Sequence, residues 1–322
     1  MKSLNLQSLG KQNISFYLAI EQYFLPRIQE DLFFLWDLHP AIVVGRNQLI
    51  ASEVNLEFTR KHNIPIYRRP TGGGTVYADE GCFMFTFLSK NVNREQVFIN
   101  YLTKMKDFFQ TLGLDIELSG RNDLLFLGKK FSGNAFLNNQ YGSILHGTIL
   151  YNTDLEFLVS SLTPDDAKLI SKGIKSVRER VINLKEYVNL PIEEVMMKMW
   201  NYFTTSSLTL NEEDVKAIQK MEIHFLSKEW MNYHHPPYTV HAKKRFSWGL
   251  IESFIDIKRE KITSFEIAGD FFERQSIKGW CDKFINSPFD EQRFWEILTL
   301  NDISKYIENA NNQDIIDLIW RK

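Results

Sequence analysis

The chain has 322 residues, 44% hydrophobic and 14% aromatic, with a formal net charge of −2. That much apolar material excludes a disordered chain, and the near-neutral balance excludes a global basic field for nucleic-acid phosphates. The length suits about two domains.

Two cysteines, Cys82 and Cys281, lie far apart and outside any metal-ligand spacing, so they read as reduced thiols of a cytosolic protein. The opening MKSLNLQSLGKQNISFYLAI lacks the apolar run and cleavage site of a signal peptide. No stretch reaches the ~18 to 20 apolar residues of a membrane span.

In chain order, Asn13 is a good helix N-cap, and Tyr17, Ile20 and Phe24 recur behind it at helical spacing until Pro26. DLFFLWDL and AIVVG are short apolar runs suited to buried strands, and residues 52–62 read as helical. IPIYR is a strand that leads into RRPTGGGTVYAD (68–79). CFMFTFL (82–88) is apolar throughout and reads as a central strand. Val97, Tyr101, Met105, Phe108 and Leu112 form one helical stripe, with Gly113 as its C-terminal cap. DLLFL and LHGTILY are strands, and a helix with Pro191 at its first position follows.

YHHPPYTVHAKKRFSWG (233–249) reads as a loop closing one domain. Two strand-like runs flank a charged turn at Lys258–Lys261, and three short helical segments finish the chain. The irregular alternation predicts an α+β fold with a mixed or mostly antiparallel sheet. The boundary falls near residue 246, giving domains 1–246 and 247–322.

Gly72, Gly73 and Gly74 match neither a P-loop nor a dinucleotide fingerprint. Three glycines serve an ordinary turn equally well. Alternatively, backbone without Cβ atoms lets a ligand approach and offers N–H groups to an anion. Arg68 and Arg69 add charge; on a strand only one of them faces the site, and Arg69 is the choice.

A second cluster is GRNDLLFLGKKFSGNAF (120–136), followed by HGTILY (146–151). Asn122 and Asp123 stand at the mouth of an apolar strand, and small residues surround Lys129 and Lys130. A solvated hairpin turn also accounts for the lysine pair, and a satisfied, partly buried histidine accounts for His146.

Together GRNQ (45–48), RRPTGGGTVYAD, GRNDLLFLGKKFSGNAF, HGTILYNTDLEFL and SKGIKSVRERVINL (171–184) resemble the ordered signatures of lipoate–protein ligases. The C-terminal run with EIAGDFF resembles that family's small accessory domain. The resemblance implies a biotin/lipoyl ligase-like domain, a central mixed sheet flanked by helices, plus a small α/β C-terminal domain. It implies ATP, Mg²⁺ and lipoate as reactants, with lipoyl-AMP and pyrophosphate formed first. The lipoyl group then passes to a lysine of an acceptor: the glycine-cleavage H protein or a relative, or an E2 lipoyl domain.

By resemblance Lys130 is the catalytic lysine and Arg69 the site arginine. Gly73, Gly74, Thr75, Val76 and Tyr77 match nucleotide-contacting backbone, and Asn122, Asp123, His146 and Gly147 match site-lining positions. Metal ligands are not assigned. The chain departs from the family at Thr71 (usually Ser), Ala78 (usually His) and Cys82 (often Asn). An ATP-independent octanoyl or lipoyl transferase of the same fold would need a nucleophilic cysteine. No cysteine lies between Cys82 and Cys281. A non-catalytic carrier-binding module is the reading from a different class.

Overall fold

The computed structural model describes residues 1–119, 122–162, 179–231 and 239–321. Gly120, Arg121, most of SKGIKSVRERVINL and the start of the His/Pro-rich loop therefore lie outside the described residues. The chain divides into two compact units.

The first unit comprises Met1–Val44, Glu53–Pro70 and Val76–Met231. Its eight-stranded sheet runs in the order β11 (Ser206–Thr209), β1 (Lys2–Asn5), β2 (Leu32–Asp37), β6 (Cys82–Ser89), β10 (Gly142–Leu150), β9 (Lys129–Asn139), β8 (Asp123–Phe126), β7 (Ile116–Ser119). Strand β1 is parallel to β2 and β11, and the other pairings are antiparallel, so the sheet is mixed.

Helices cover both faces. The helix Ile14–Phe24 buries Tyr17, Ile20 and Phe24 with Trp36 and Met84 on one face. On the other, the helix Arg94–Thr111 packs Val97, Tyr101, Met105 and Phe108 against Phe83, Phe85 and Phe87. Asn93 caps that helix by accepting from Gln96 N, and Gly113, at φ 82°, ends it. Every residue of β6 is buried, which is why its sequence is apolar without alternation.

Residues 52–62 do not form one helix. Asn55 breaks the run and caps a second piece, Leu56–Lys61, by accepting from Phe58 N. Pro191 sits at the N-cap of Ile192–Phe203, one residue before the expected first turn. A smaller sheet in the same unit, in the order β4 (Ile66–Arg68), β3 (Ala41–Val44), β5 (Val76–Ala78), carries the segments on either side of the glycines.

The second unit comprises Gly45–Ser52, Thr71–Thr75 and Asn232–Lys322. Strands β12 (Val240–Phe246), β13 (Gly249–Lys258) and β14 (Lys261–Gly269) form an antiparallel sheet. Three α-helices, Ile277–Cys281, Glu291–Leu300 and Asn312–Trp320, complete a core built on Ile251, Phe265, Trp280 and Phe294. Residues 240–246, expected as loop, are strand along their length, because Val240, Ala242 and Phe246 alternate onto that core. The C-terminal sheet therefore begins upstream of residue 247. The charged turn is a tight one, with Arg259 and Glu260 both left-handed at φ 50° and 62°.

Candidate functional site

In the first unit, Lys130 and Asp123 form an ion pair at 2.8 Å. How the lysine gets there depends on an irregularity in β9. Leu124 pairs with Ser132, but its neighbour Leu125 pairs with Lys130, so Phe131 is an extra, bulged residue. On a regular strand Lys130 and Gly133 would face opposite sides, being three apart. The bulge turns Lys130 onto the face of Gly133 and of Asp123, which pairs with Gly133. A Cβ on Gly133 would lie 2.8 Å from Lys130 Cε and 2.9 Å from Nζ, so the glycine makes room for the lysine itself. Lys129 instead lines a cavity of about 500 Å³ with Thr153, Asp154, Asn183, Glu186 and Tyr187.

Asn122 and Asn134 clasp the mouth of β8. Asn134 Nδ2 donates to Asn122 O at 2.8 Å, and Asn122 Nδ2 donates to Asn134 O. The Asn134 amide fills the space above Gly147, where a Cβ would meet its Oδ1 at 2.2 Å and the Phe85 ring at 2.7 Å. Gly147 thus faces the aromatic core.

His146 faces the other way. It pairs with Ala135, two residues from Gly133, so it lies on the Lys130 face. Its Nδ1 lies 2.8 Å from Glu21 Oε1, which also accepts from Thr86 Oγ1 at 2.7 Å. Trp36 Nε1 donates to the same hydroxyl at 3.1 Å. Glu21 and Thr86 are fully buried and His146 nearly so.

The two arginines diverge. Arg68 Nη2 donates to Met231 O at 3.2 Å, while Arg69 Nη1 donates to Val43 O at 3.1 Å. Both are buried. Burial, and then the charge of Arg68, lower the Arg69 pKa to about 10, so it stays a cation at neutral pH. Val76 and Tyr77 lie on β5 opposite Val43 and Ile42. Burial, reinforced by Asp79, raises the Tyr77 phenol above its ordinary value.

Gly73, Gly74 and Thr75 belong to the second unit, and their neighbours there separate the three glycines of the loop. Gly72 touches backbone: a Cβ would lie 2.6 Å from Phe271 O. Gly73 has φ 90°, a left-handed conformation, and its N–H donates to Phe271 O at 3.4 Å. Gly74 has nothing within 4 Å of its Cβ position.

Residues 13–204 match the lipoyl protein ligase A/B catalytic domain family, and residues 235–319 match the bacterial lipoate protein ligase C-terminus. The lipoate–protein ligase 1 of Staphylococcus aureus is 31% identical over 312 residues, covering 94% of this chain and 95% of that protein. The chain belongs to the lipoate–protein ligase family. Its fold resembles LipL1 of P. falciparum, solved in complex with lipoate, with a TM-score of 0.75 at 22% identity, covering 98% and 96% of the two chains. A bipartite lipoate protein ligase from Thermoplasma acidophilum, studied with its E2 lipoyl domain, gives 0.64 at 25% identity, covering 71% and 94%.

Two residues around these side chains in the ligase, Glu21 and Gly133, carry little signal in the sequence. Glu21 lies on the apolar face of its helix, four residues after Tyr17 and three before Phe24, and its partners come from β6 and β10. A lone carboxylate inside an apolar helical run was the available signal. Gly133 stood among small residues assigned to ligand approach.

Proposed function

We propose that this ligase activates lipoate with ATP and transfers the lipoyl group to an acceptor lysine. A lipoate carboxylate oxygen attacks the α-phosphorus of ATP, forming lipoyl-AMP and releasing pyrophosphate. The acceptor amine then attacks the acyl carbon, AMP leaves, and the amine nitrogen gives up its proton. The observation that carries this reading is Lys130 held by Asp123 over a Cβ-free strand position. An ion pair whose side chains are 39% and 31% exposed is worth at most about 1 kcal/mol, so the ammonium can exchange the carboxylate for phosphoryl oxygens at little cost.

Arg69 is a buried cation whose desolvation an anion would relieve. In the second unit, the backbone of Gly73, Gly74 and Thr75 contacts the nucleotide, Gly73 through the surface its missing side chain leaves bare, since its own N–H donates to Phe271 O. The lipoyl tail runs along the sheet face from Lys130 toward the His146–Glu21 pair. Asn122 clasps the strand end beside Asp123, Gly147 leaves room for the Asn134 amide on the opposite face, and Asp123 takes the proton of the acceptor amine. Among the described residues no three His, Cys, Asp or Glu side chains gather. A Mg²⁺ ion carried on the ATP phosphates would offset their charge, and Asp123 is the carboxylate of this face that would help hold it.

The acceptor is an H protein, a relative of it, or an E2 lipoyl domain, and the setting is the cytoplasm. Among the described residues no helix is long and apolar enough to cross a membrane. A thioester route is disfavoured. Cys82 is fully buried, and burial with the nearby Asp79 pushes its thiol up to about 12, far from a nucleophilic thiolate.

Incubation with lipoate, each acceptor and ATP, read by intact mass, tests the reading. Acylation with ATP and none without it is expected, with lipoyl-AMP recovered when the acceptor is omitted. Transfer that proceeds without ATP overturns it.

Octanoate is expected to be activated too, less well than lipoate, because an apolar slot discriminates by roughly 1 to 3 kcal/mol per methylene and senses two sulfurs weakly. Absence of octanoyl-AMP at saturating octanoate would refute this.

Gly133→Ala should keep the fold, since its methyl meets only the flexible end of Lys130. Displacing the ammonium by about 1 Å should cost up to about a hundredfold in pyrophosphate release. A rate within threefold of the parent would mean that the lysine does not act from this position.

A further inference from the structure

The GRNQ turn frames the glycine loop at both ends. Arg46 N donates to Thr71 O at 2.9 Å, holding the start of the loop. Thr75 Oγ1 donates to Gln48 Oε1 at 2.7 Å, holding its end. The same Oε1 accepts from Gly45 N at 3.1 Å, and Gln48 N donates to Gly45 O at 3.1 Å, so the turn is closed on itself before it grips the loop. Gln48 is buried. All of these residues belong to the second unit.

Three consecutive glycines carry no side chains with which to hold a shape, and fixing their backbones costs conformational entropy. N–H groups that receive an anion must be oriented beforehand to bind well. We propose that Gln48 is a positioning residue: through Thr75 it sets the backbone of Gly74 and Thr75 for the nucleotide. This rests on the reading that those N–H groups receive ATP. The residue type fits the task. An amide oxygen accepts two hydrogen bonds without charge. A carboxylate would accept both but would set a buried negative charge beside phosphate oxygens.

The test uses the full chain. ATP binding by calorimetry is measured for Gln48→Leu, Thr75→Val, the double variant, Thr75→Ser and Gln48→Glu, with KM for ATP, KM for lipoate and kcat alongside. Gln48→Leu should weaken ATP binding about tenfold while KM for lipoate stays within about twofold. Thr75→Val should match it, the double variant should be no worse than either single one, and Thr75→Ser should restore the affinity lost in Thr75→Val. Gln48→Glu should bind ATP more weakly than Gln48→Leu, with some loss of melting temperature from its buried charge.

Unchanged ATP affinity in Gln48→Leu overturns the inference. So does an equal loss for ATP and lipoate with a lowered melting temperature, or full additivity of the two losses. If Gln48→Leu does not fold, the contrast between Thr75→Val and Thr75→Ser decides in its place. A parent protein that binds no ATP would instead bring down the underlying reading.

Discussion

Lys130→Ala and Lys130→Arg should each remove most lipoate adenylation, by about a hundredfold or more, while Lys129→Ala stays within about twofold of the parent. To bulk solvent the two lysines present the same charge, so a diffuse electrostatic role would make them interchangeable. Their surroundings are not interchangeable. Lys130 reaches Asp123 at 2.8 Å across Gly133, whereas Lys129 lines a separate cavity. Negative charge gathers on phosphoryl oxygens in the transition state, and a fixed ammonium there acts in a partly dry site. Arginine fails for reasons of shape. The space above Gly133 takes a narrow ammonium, while a guanidinium is a wide planar fork. Pyrophosphate release with lipoate and ATP, with circular dichroism to confirm the fold, gives the answer. A damaging Lys129→Ala beside a mild Lys130→Ala would reverse the roles and remove the residue-level proposal.

Why Lys130 rather than Lys129 can face Asp123 illustrates what was legible in the sequence. Apolar periodicity announced β6 and the helices Ile14–Phe24 and Arg94–Thr111, because burial on a repeating face is a local pattern. Alternation alone separates the two lysines onto opposite faces. The bulge at Phe131, which puts Lys130 with Gly133 rather than opposite it, comes from pairing with β8 and leaves no local mark. Much of β9 is built from Ser132, Gly133, Asn134 and Ala135, small residues of little β propensity, so its strand character also comes from its neighbours. The Glu21–His146–Thr86–Trp36 network is assembled from four elements distant in sequence. The neighbours of the glycines were equally hidden: the contact of Gly72 with Phe271 joins segments far apart in the chain.

That contact makes the glycine loop a test in which fold and ligand separate. Gly74 is in a backbone conformation open to any residue and has nothing within 4 Å of its Cβ position. Gly74→Val should therefore fold and melt within about 2 °C of the parent, yet lose lipoyl-AMP formation by about a hundredfold, because the branched side chain fills space kept for the nucleotide. Gly72→Ala should do the opposite first. Its Cβ would stand 2.6 Å from the Phe271 carbonyl oxygen, and backbone does not swing aside as a flexible side chain does. Overpacking of that kind costs about 1 to 3 kcal/mol. At roughly 4 to 8 °C per kcal/mol for a unit of about a hundred residues, the melting temperature should fall by several degrees or more. Thermal melts and pyrophosphate release on both variants separate the two causes. If Gly74→Val keeps near-normal adenylation, the third glycine serves only the turn, and the anion-cradle reading of the loop fails with it.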